Sequence, residues 1–371
     1  QQYMYHEPIE IVEGHYLYSP AFAMLMVPFT WLPLELAIFI HLALNVAAYV
    51  LLFITWARIF QEFSLDKAAR MLVWTIPIWC VFSALWDNLT YLNMYILLAL
   101  LGSLFVEAVL TERLVPASLW LTLILISKPH WAFALALPLL LGRYRFFFKL
   151  LLGGLAGYLL FAGLVVLASS PAYAWEQYLG QVEFLGRLSQ DYPWRGPESG
   201  FLGYNHSLAQ VIYLLAGISS ASANLATGMK LLLLLPLAII AAGNVLRPAR
   251  KPGHEIPGTA LELAFLLYLG VFIWLDMVWE LWLALPLFVY LRAYLASKLE
   301  RILLLGTFIP YALLDVYRLF IYLAGSPLID EAYVAWDFSV YFPLFLTLLF
   351  VCYGILIKRA WPSLRSKGTT P

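Results

Sequence analysis

Eleven mostly apolar stretches, separated by short charged or proline-bearing junctions, fill most of this 371-residue chain. They lie at roughly 36–57, 71–86, 91–110, 115–127, 129–141, 146–168, 225–246, 260–276, 281–297, 302–324 and 338–357. Long apolar runs at this spacing predict transmembrane helices. Several runs fall short of about 17 residues and are expected to tilt, to thin the bilayer or to insert only in part. Only 12% of the residues are charged, about half the share of soluble domains. The 14 Trp, 23 Tyr and 24 Phe suit many helix ends at lipid headgroups. The expected class is an all-α polytopic membrane protein.

The same composition excludes other classes. A net charge of zero gives no attraction to nucleic acid. Cys80 and Cys352 both lie in apolar runs, which argues against a disulfide framework. No phosphate-binding Gly-rich loop, c-type haem motif, zinc spacing or dinucleotide fingerprint occurs, so no cofactor and no metal are expected.

Basic residues set the orientation. Arg58, Lys67, Arg70, Arg113, Arg143, Arg145, Lys149, Arg247, Arg250, Lys251, Arg292, Lys298, Arg301, Lys358, Arg359, Arg365 and Lys367 are 17 of the 22 Lys and Arg. Eleven spans place all of them on one face, which the positive-inside rule makes cytoplasmic. The C-terminus is then inside and Gln1 outside, in a cell membrane. A chain whose first residue is already outside is expected to follow an earlier span, giving about twelve in all. Residues 1–34 read as the tail of a first external loop, whose part punctuated by Pro20, Pro28 and Pro33 suits a short surface helix. Residues 169–224 read as a second, larger external segment with amphipathic helices. Treating 207–218 as a span would put the basic run 247–251 outside, so it is read as a surface helix too. The whole chain, 1–371, is taken as one membrane domain.

Charges away from the basic face are costly in a membrane and therefore informative. Lys128 stands in ISKPHWAF between two short apolar segments. Pro129 stops the first helix, leaving backbone groups and an ammonium near one site. It is read either as a clamp on an anionic headgroup or as a lysine snorkelling to the interface. Arg318 follows Asp315 by three residues, which suits an ion pair within a helix or an anion contact in a cavity. Asp276 and Glu280 lie one helical turn apart in WLDMVWELW, as a general base and its partner, as a metal-binding pair or as solvated acids. His206 and three other histidines (His6, His15, His130) are placed at the external face; His41 and His254 are not. Asn88-Leu89-Thr90 and Asn205-His206-Ser207 match the glycosylation acceptor pattern, a triplet that also arises by chance.

These residues resemble a known family. Gly14, Tyr18-Ser19-Pro20-Ala21-Phe22, Pro28, Leu32-Pro33 and the stretch from Ala37 to His41 are similar to the first-loop pattern of glycosyltransferase family 87. Tyr91-Leu92-Asn93-Met94, Lys128-Pro129 and Asn205-His206-Ser207-Leu208 resemble its later motifs, in order and spacing. The resemblance implies a GT-C-like bundle with external juxtamembrane helices, and a polyprenyl-phosphate-mannose-dependent hexosyltransferase (EC 2.4.1). It further implies an acidic general base in the first external loop, expected before Gln1, and substrate contacts at Tyr18, Lys128, Asn205 and His206; beside it, Arg318 is a weaker candidate for the phosphate and Glu280 a weaker catalytic one. Leu281 and Trp282 stand where relatives often carry His. Three functions follow. The first is transfer of a hexose, mannose foremost, from a polyprenyl-phosphate sugar to an external acceptor. The second is an inactive descendant serving as a subunit of a larger membrane assembly. The third is a transporter of lipid-linked saccharide. Membrane lipids and the polyprenyl-phosphate sugar are the expected partners.

Overall fold

A computed structural model of the chain describes residues 18–90, 92–191, 207–217, 219–246, 257–275, 284–323 and 342–361. Every element among them is helical. Ser19 caps the first helix, α1 (Pro20–Met26), by accepting from the Phe22 N–H at 3.2 Å, and Pro20 takes the first helical position, where no N–H is needed. A 3-10 turn, Val27–Trp31, carries the chain to Pro33 and into α2 (Leu34–Glu62). At 29 residues, α2 is roughly 43 Å long, and it ends where Ser64 turns left-handed.

The run expected as one span at 71–86 is instead three short helices, α3 (Asp66–Trp74), α4 (Ile76–Val81) and α5 (Ser83–Thr90). Pro77 can sit in the first turn of a helix but not inside one, so the chain restarts at Thr75, and it leaves helical geometry again at Phe82. The apolar run at 129–141 is likewise interrupted rather than one continuous helix. Pro129 follows α7 (Leu114–Ser127) and opens a 3-10 segment, Pro129–Leu135, before the five-residue α8 (Ala136–Leu140). Between these broken stretches α6 (Tyr95–Leu110) runs unbroken and deeply buried.

Three helices are long and apolar enough to cross a membrane among the described residues: α2, α9 (Tyr144–Ala168) and α12 (Ser220–Val245). α6, α7 and α13 (Pro257–Leu275) are apolar but shorter. α10 (Pro171–Asp191) folds back on α9, and α11 (Leu208–Ala216) packs on α12 through Leu208, Ala209, Ile212 and Ala226. α14 (Leu285–Tyr294), α15 (Lys298–Leu323) and α16 (Phe342–Ala360) complete the bundle.

Two contacts fix the ends of this assembly. α9 lies so close on α7 that a side chain at Gly153 or Gly157 would collide with Ser118 or Thr122, the small-residue packing by which membrane helices approach. Trp56 of α2 stacks on Phe265 of α13 at 5.3 Å, and Phe265 meets Tyr290 of α14. Five basic residues toward that end form ion pairs. Arg58 forks onto buried Glu107, Arg113 reaches Glu62 at 2.8 Å, and Arg143 pairs with Glu112 at 3.3 Å. Arg359 and Tyr290 both bond Glu262, and Lys358 bonds Glu300. These pairs tie α2 to α6, and α16 to α13 and α15, through five of the basic residues assigned to the cytoplasmic face.

Candidate functional site at the Lys128 end

Lys128 lies at the other end. Its partner Tyr95 opens α6, whereas Glu107, the partner of Arg58, lies twelve residues further along the same helix, a rise of roughly 18 Å. Pro129 forces Lys128 out of helical geometry, so it caps α7 in an extended conformation and points its stem inward. The residue is 3% exposed. The reading of Lys128 as a snorkelling surface lysine is thus excluded. Its ammonium donates to the Tyr95 hydroxyl at 2.9 Å and lies over the rings of Tyr95 and Tyr18, 4.0 and 5.4 Å from their centroids.

The Tyr18 ring is brought there by the next residue. Ser19 bonds the backbone at both Ile126 and Ser127, which stitches the start of α1 to the end of α7. Tyr18 stacks on Phe22 at 4.7 Å, and its hydroxyl reaches the backbone of Met94. Burial first, and the neighbouring Tyr95 second, push the Tyr18 hydroxyl above its ordinary value. The Tyr18 ring is therefore neutral at physiological pH. Phenol faces and a phenol oxygen can steady a cation, but they do not neutralise it. Among the described residues no carboxylate pairs with Lys128.

A chain of side-chain amides supports this corner. Asn88 donates to the Asn45 side chain at 3.1 Å and to the Asn93 carbonyl at 3.0 Å, while its own oxygen accepts from the Tyr95 N–H at 3.1 Å. Asn45 in turn bonds the His41 ring at 2.9 Å. The turn so held includes Leu92 in the left-handed region, a conformation that a leucine keeps only when its surroundings fix it. One earlier placement is corrected here, and one pattern match resolves as chance. Asn88 is 3% exposed with its amide fully engaged, so Asn88-Leu89-Thr90 is no glycosylation acceptor. His41, placed away from the external face on sequence grounds, belongs to the Lys128 end. It lines a cavity of about 340 Å³ with Asn45, Met26, Phe29, Leu92 and Met94.

Glu280, Asn205 and His206 lie outside the described residues, as does the side chain of Arg318, whose backbone is part of α15. The structure therefore brings together Tyr18 and Lys128 of the proposed set, and adds Tyr95, Asn88, Asn45 and His41. The added residues were missed because no single motif joins them. The one available signal was the cluster of Asn88, Asn93 and Tyr95 between broken helices. Among the described residues no group of three or more His, Cys, Asp or Glu is arranged to hold a metal.

α1 and α10, from the two segments read as external, meet at this same end. Ala21 of α1, Ile126 of α7, Val165 of α9 and Ala174 of α10 form one small buried cluster. Among the described residues the buried Lys128 ammonium thus has a hydroxyl and two rings, and no carboxylate, around it. Comparison with known proteins supplies the class. Residues 16–256 match the profile of glycosyltransferase family 87, and the chain belongs to that family. It is also similar to an alpha-(1->3)-arabinofuranosyltransferase of Mycolicibacterium smegmatis (strain ATCC 700084 / mc(2)155), at 31% identity over 142 residues. That match covers 37% of this chain and 32% of the arabinofuranosyltransferase, so the chain spans about a third of that relative. No solved structure matches.

Proposed function

We propose that this chain is a membrane glycosyltransferase that takes its sugar from a polyprenyl phosphate and passes it to an acceptor on the non-cytoplasmic side. The observation that carries the reading is Lys128, buried at 3% exposure with rings and a phenol around it and no carboxylate among the described residues. A buried cation is stable when an anion completes it. The leaving phosphate of a lipid-linked sugar supplies that anion, and it gains charge as the glycosidic bond breaks, so Lys128 holds the product side of the reaction more tightly than the substrate.

In this scheme an acceptor hydroxyl attacks the anomeric carbon, the bond from that carbon to the phosphate oxygen breaks, and the electron pair leaves with the phosphate. The hydroxyl proton goes to a carboxylate, for which the family resemblance expects an Asp in the first external loop, with Glu280 the candidate within this chain. Tyr18 and Tyr95 aim the ammonium, and the Asn88 amide aims Tyr95. The relative's name favours a pentose, arabinofuranose, over the mannose expected from the family pattern. Eleven or twelve spans, with the basic belt cytoplasmic, remain the proposed topology, and a cell membrane the proposed location.

The test is transfer in membranes given radiolabelled polyprenyl-phosphate arabinose or polyprenyl-phosphate mannose, with wild-type chain and with Lys128→Ala. The reading expects labelled product from wild type, arabinose above mannose, and at least a hundredfold loss in the variant. Equal transfer by both proteins would remove Lys128 from the reaction.

A further inference from the structure

Two side chains on α10 are unexplained by packing. Gln177 and Gln181 lie one helical turn apart and are each only 3% exposed. Yet among the described residues the Gln177 side-chain oxygen and the Gln181 side-chain nitrogen have no hydrogen-bond partner. Burying an amide without a partner costs stability, and an apolar residue at either position would avoid that cost. Their place in the fold is informative. They continue the α10 stripe that begins at Ala174, which packs against Ala21 and Ile126, and they flank Tyr178. The Tyr178 ring meets Tyr158 of α9 at 6.3 Å, and its hydroxyl reaches the Ala21 backbone. The stripe thus faces the junction of α1 and the end of α7 that carries Lys128.

We propose that Gln177 and Gln181 recognise hydroxyl groups of the donor sugar; this rests on the transferase reading above. The chemistry of the pair selects the ligand. A carboxamide offers both a donor and an acceptor, and its oxygen and nitrogen can exchange places. Neighbouring sugar hydroxyls offer both functions in turn. A phosphate accepts only, a metal ion calls for carboxylates, and an apolar chain has no use for an amide. Lys128 then holds the phosphate, and the glutamines hold the sugar attached to it.

The experiment uses the full chain in lipid nanodiscs and reads its thermal midpoint while three probes are titrated in: bare polyprenyl phosphate, polyprenyl-phosphate arabinose and polyprenyl-phosphate mannose. Gln177→Leu and Gln181→Leu are expected to respond to the bare lipid as wild type does. They should bind the sugar-bearing lipid that wild type prefers roughly tenfold more weakly, about the loss of one hydrogen bond. Gln177→Met and Gln181→Met keep the side-chain length and answer the same question if a leucine variant fails to fold. Unchanged affinity for both kinds of lipid overturns the proposal. So does a lowered midpoint with unchanged sugar binding, which would mean that the pair holds a structural water. A wild-type protein that bare lipid stabilises no less than either sugar-bearing lipid overturns the sugar role while leaving the phosphate site standing. A wild-type protein that none of the probes stabilises overturns the transferase reading and this proposal together.

Discussion

The two ends of the bundle treat positive charge in opposite ways. At the basic end Glu107 answers Arg58, Glu62 answers Arg113, Glu112 answers Arg143 and Glu262 answers Arg359. Arg143 also caps the end of α6 through the carbonyls of Val109 and Leu110. At the Lys128 end an ammonium buried more deeply than any of those guanidinium groups is met by a hydroxyl and two rings. A closed set of ion pairs ties helices together and leaves nothing to bind. An open one lowers the stability of the empty protein and gains when an anion arrives. Substitution at either end can break the contrast.

The largest expected effect is at the open end. Lys128→Met should abolish transfer while leaving the thermal midpoint of the empty protein unchanged or higher, because it removes an uncompensated buried charge. A large drop in midpoint would show that the lysine is structural after all. The closed end should behave in reverse. Glu107→Gln strands Arg58, which is half exposed and can turn to water, so a loss of about 1–3 kcal/mol is expected. Transfer per folded molecule should stay near wild type. Loss of activity out of proportion to loss of folded protein would mean that the ends are coupled.

Much of the architecture was legible because it follows from one-dimensional signals. Apolar runs gave α2, α6, α7, α9, α12 and α13, and Lys128-Pro129 marked where a helix must stop beside a charge. The breaks inside 71–86 and 129–141 went unread for a shared cause, since hydropathy averaged over a window does not see that Pro77 and Pro138 interrupt the backbone ladder. The supporting shell was hidden for another reason. His41, Asn45, Asn88 and Tyr95 come from three helices and meet through the left-handed turn at Leu92, a juxtaposition that only the folded chain creates. Gln177 and Gln181 read as ordinary polar positions of an amphipathic helix, because periodicity does not say which side of α10 is covered.

A smaller effect should come from the shell that supports the open end. Asn88→Ala removes the bonds that hold Asn45, the Asn93 carbonyl and the Tyr95 N–H together. It leaves the Lys128 charge in place but frees the ring that aims it. The expected outcome is a roughly five- to tenfold rise in KM for the lipid-linked donor, on the scale of one or two net hydrogen bonds, with kcat changed less. A fall in kcat with KM unchanged would place Asn88 in the chemical step instead.

The smallest expected effect concerns the cover over that end, and it is read by pH. Burial, aided by the nearby Tyr158, pushes the Tyr178 hydroxyl from 10.0 up to about 12. A tyrosine with a raised value in the fold stays neutral there while the unfolded chain ionises, so its contribution is present below pH 10 and declines from pH 10 towards about 12. Because the Tyr178 hydroxyl lies near the Ala21 backbone without completing a hydrogen bond among the described residues, Tyr178→Phe should be close to neutral in stability at pH 7 and should make the alkaline decline shallower. The basic end carries a control in Arg113→Met, which removes the exposed Glu62 pair and should leave the slope above pH 10 unaltered. If Tyr178→Phe leaves the slope unaltered too, α10 does not cover α1 tightly enough to keep a phenol dry, and the sealed character of the Lys128 end is lost with it.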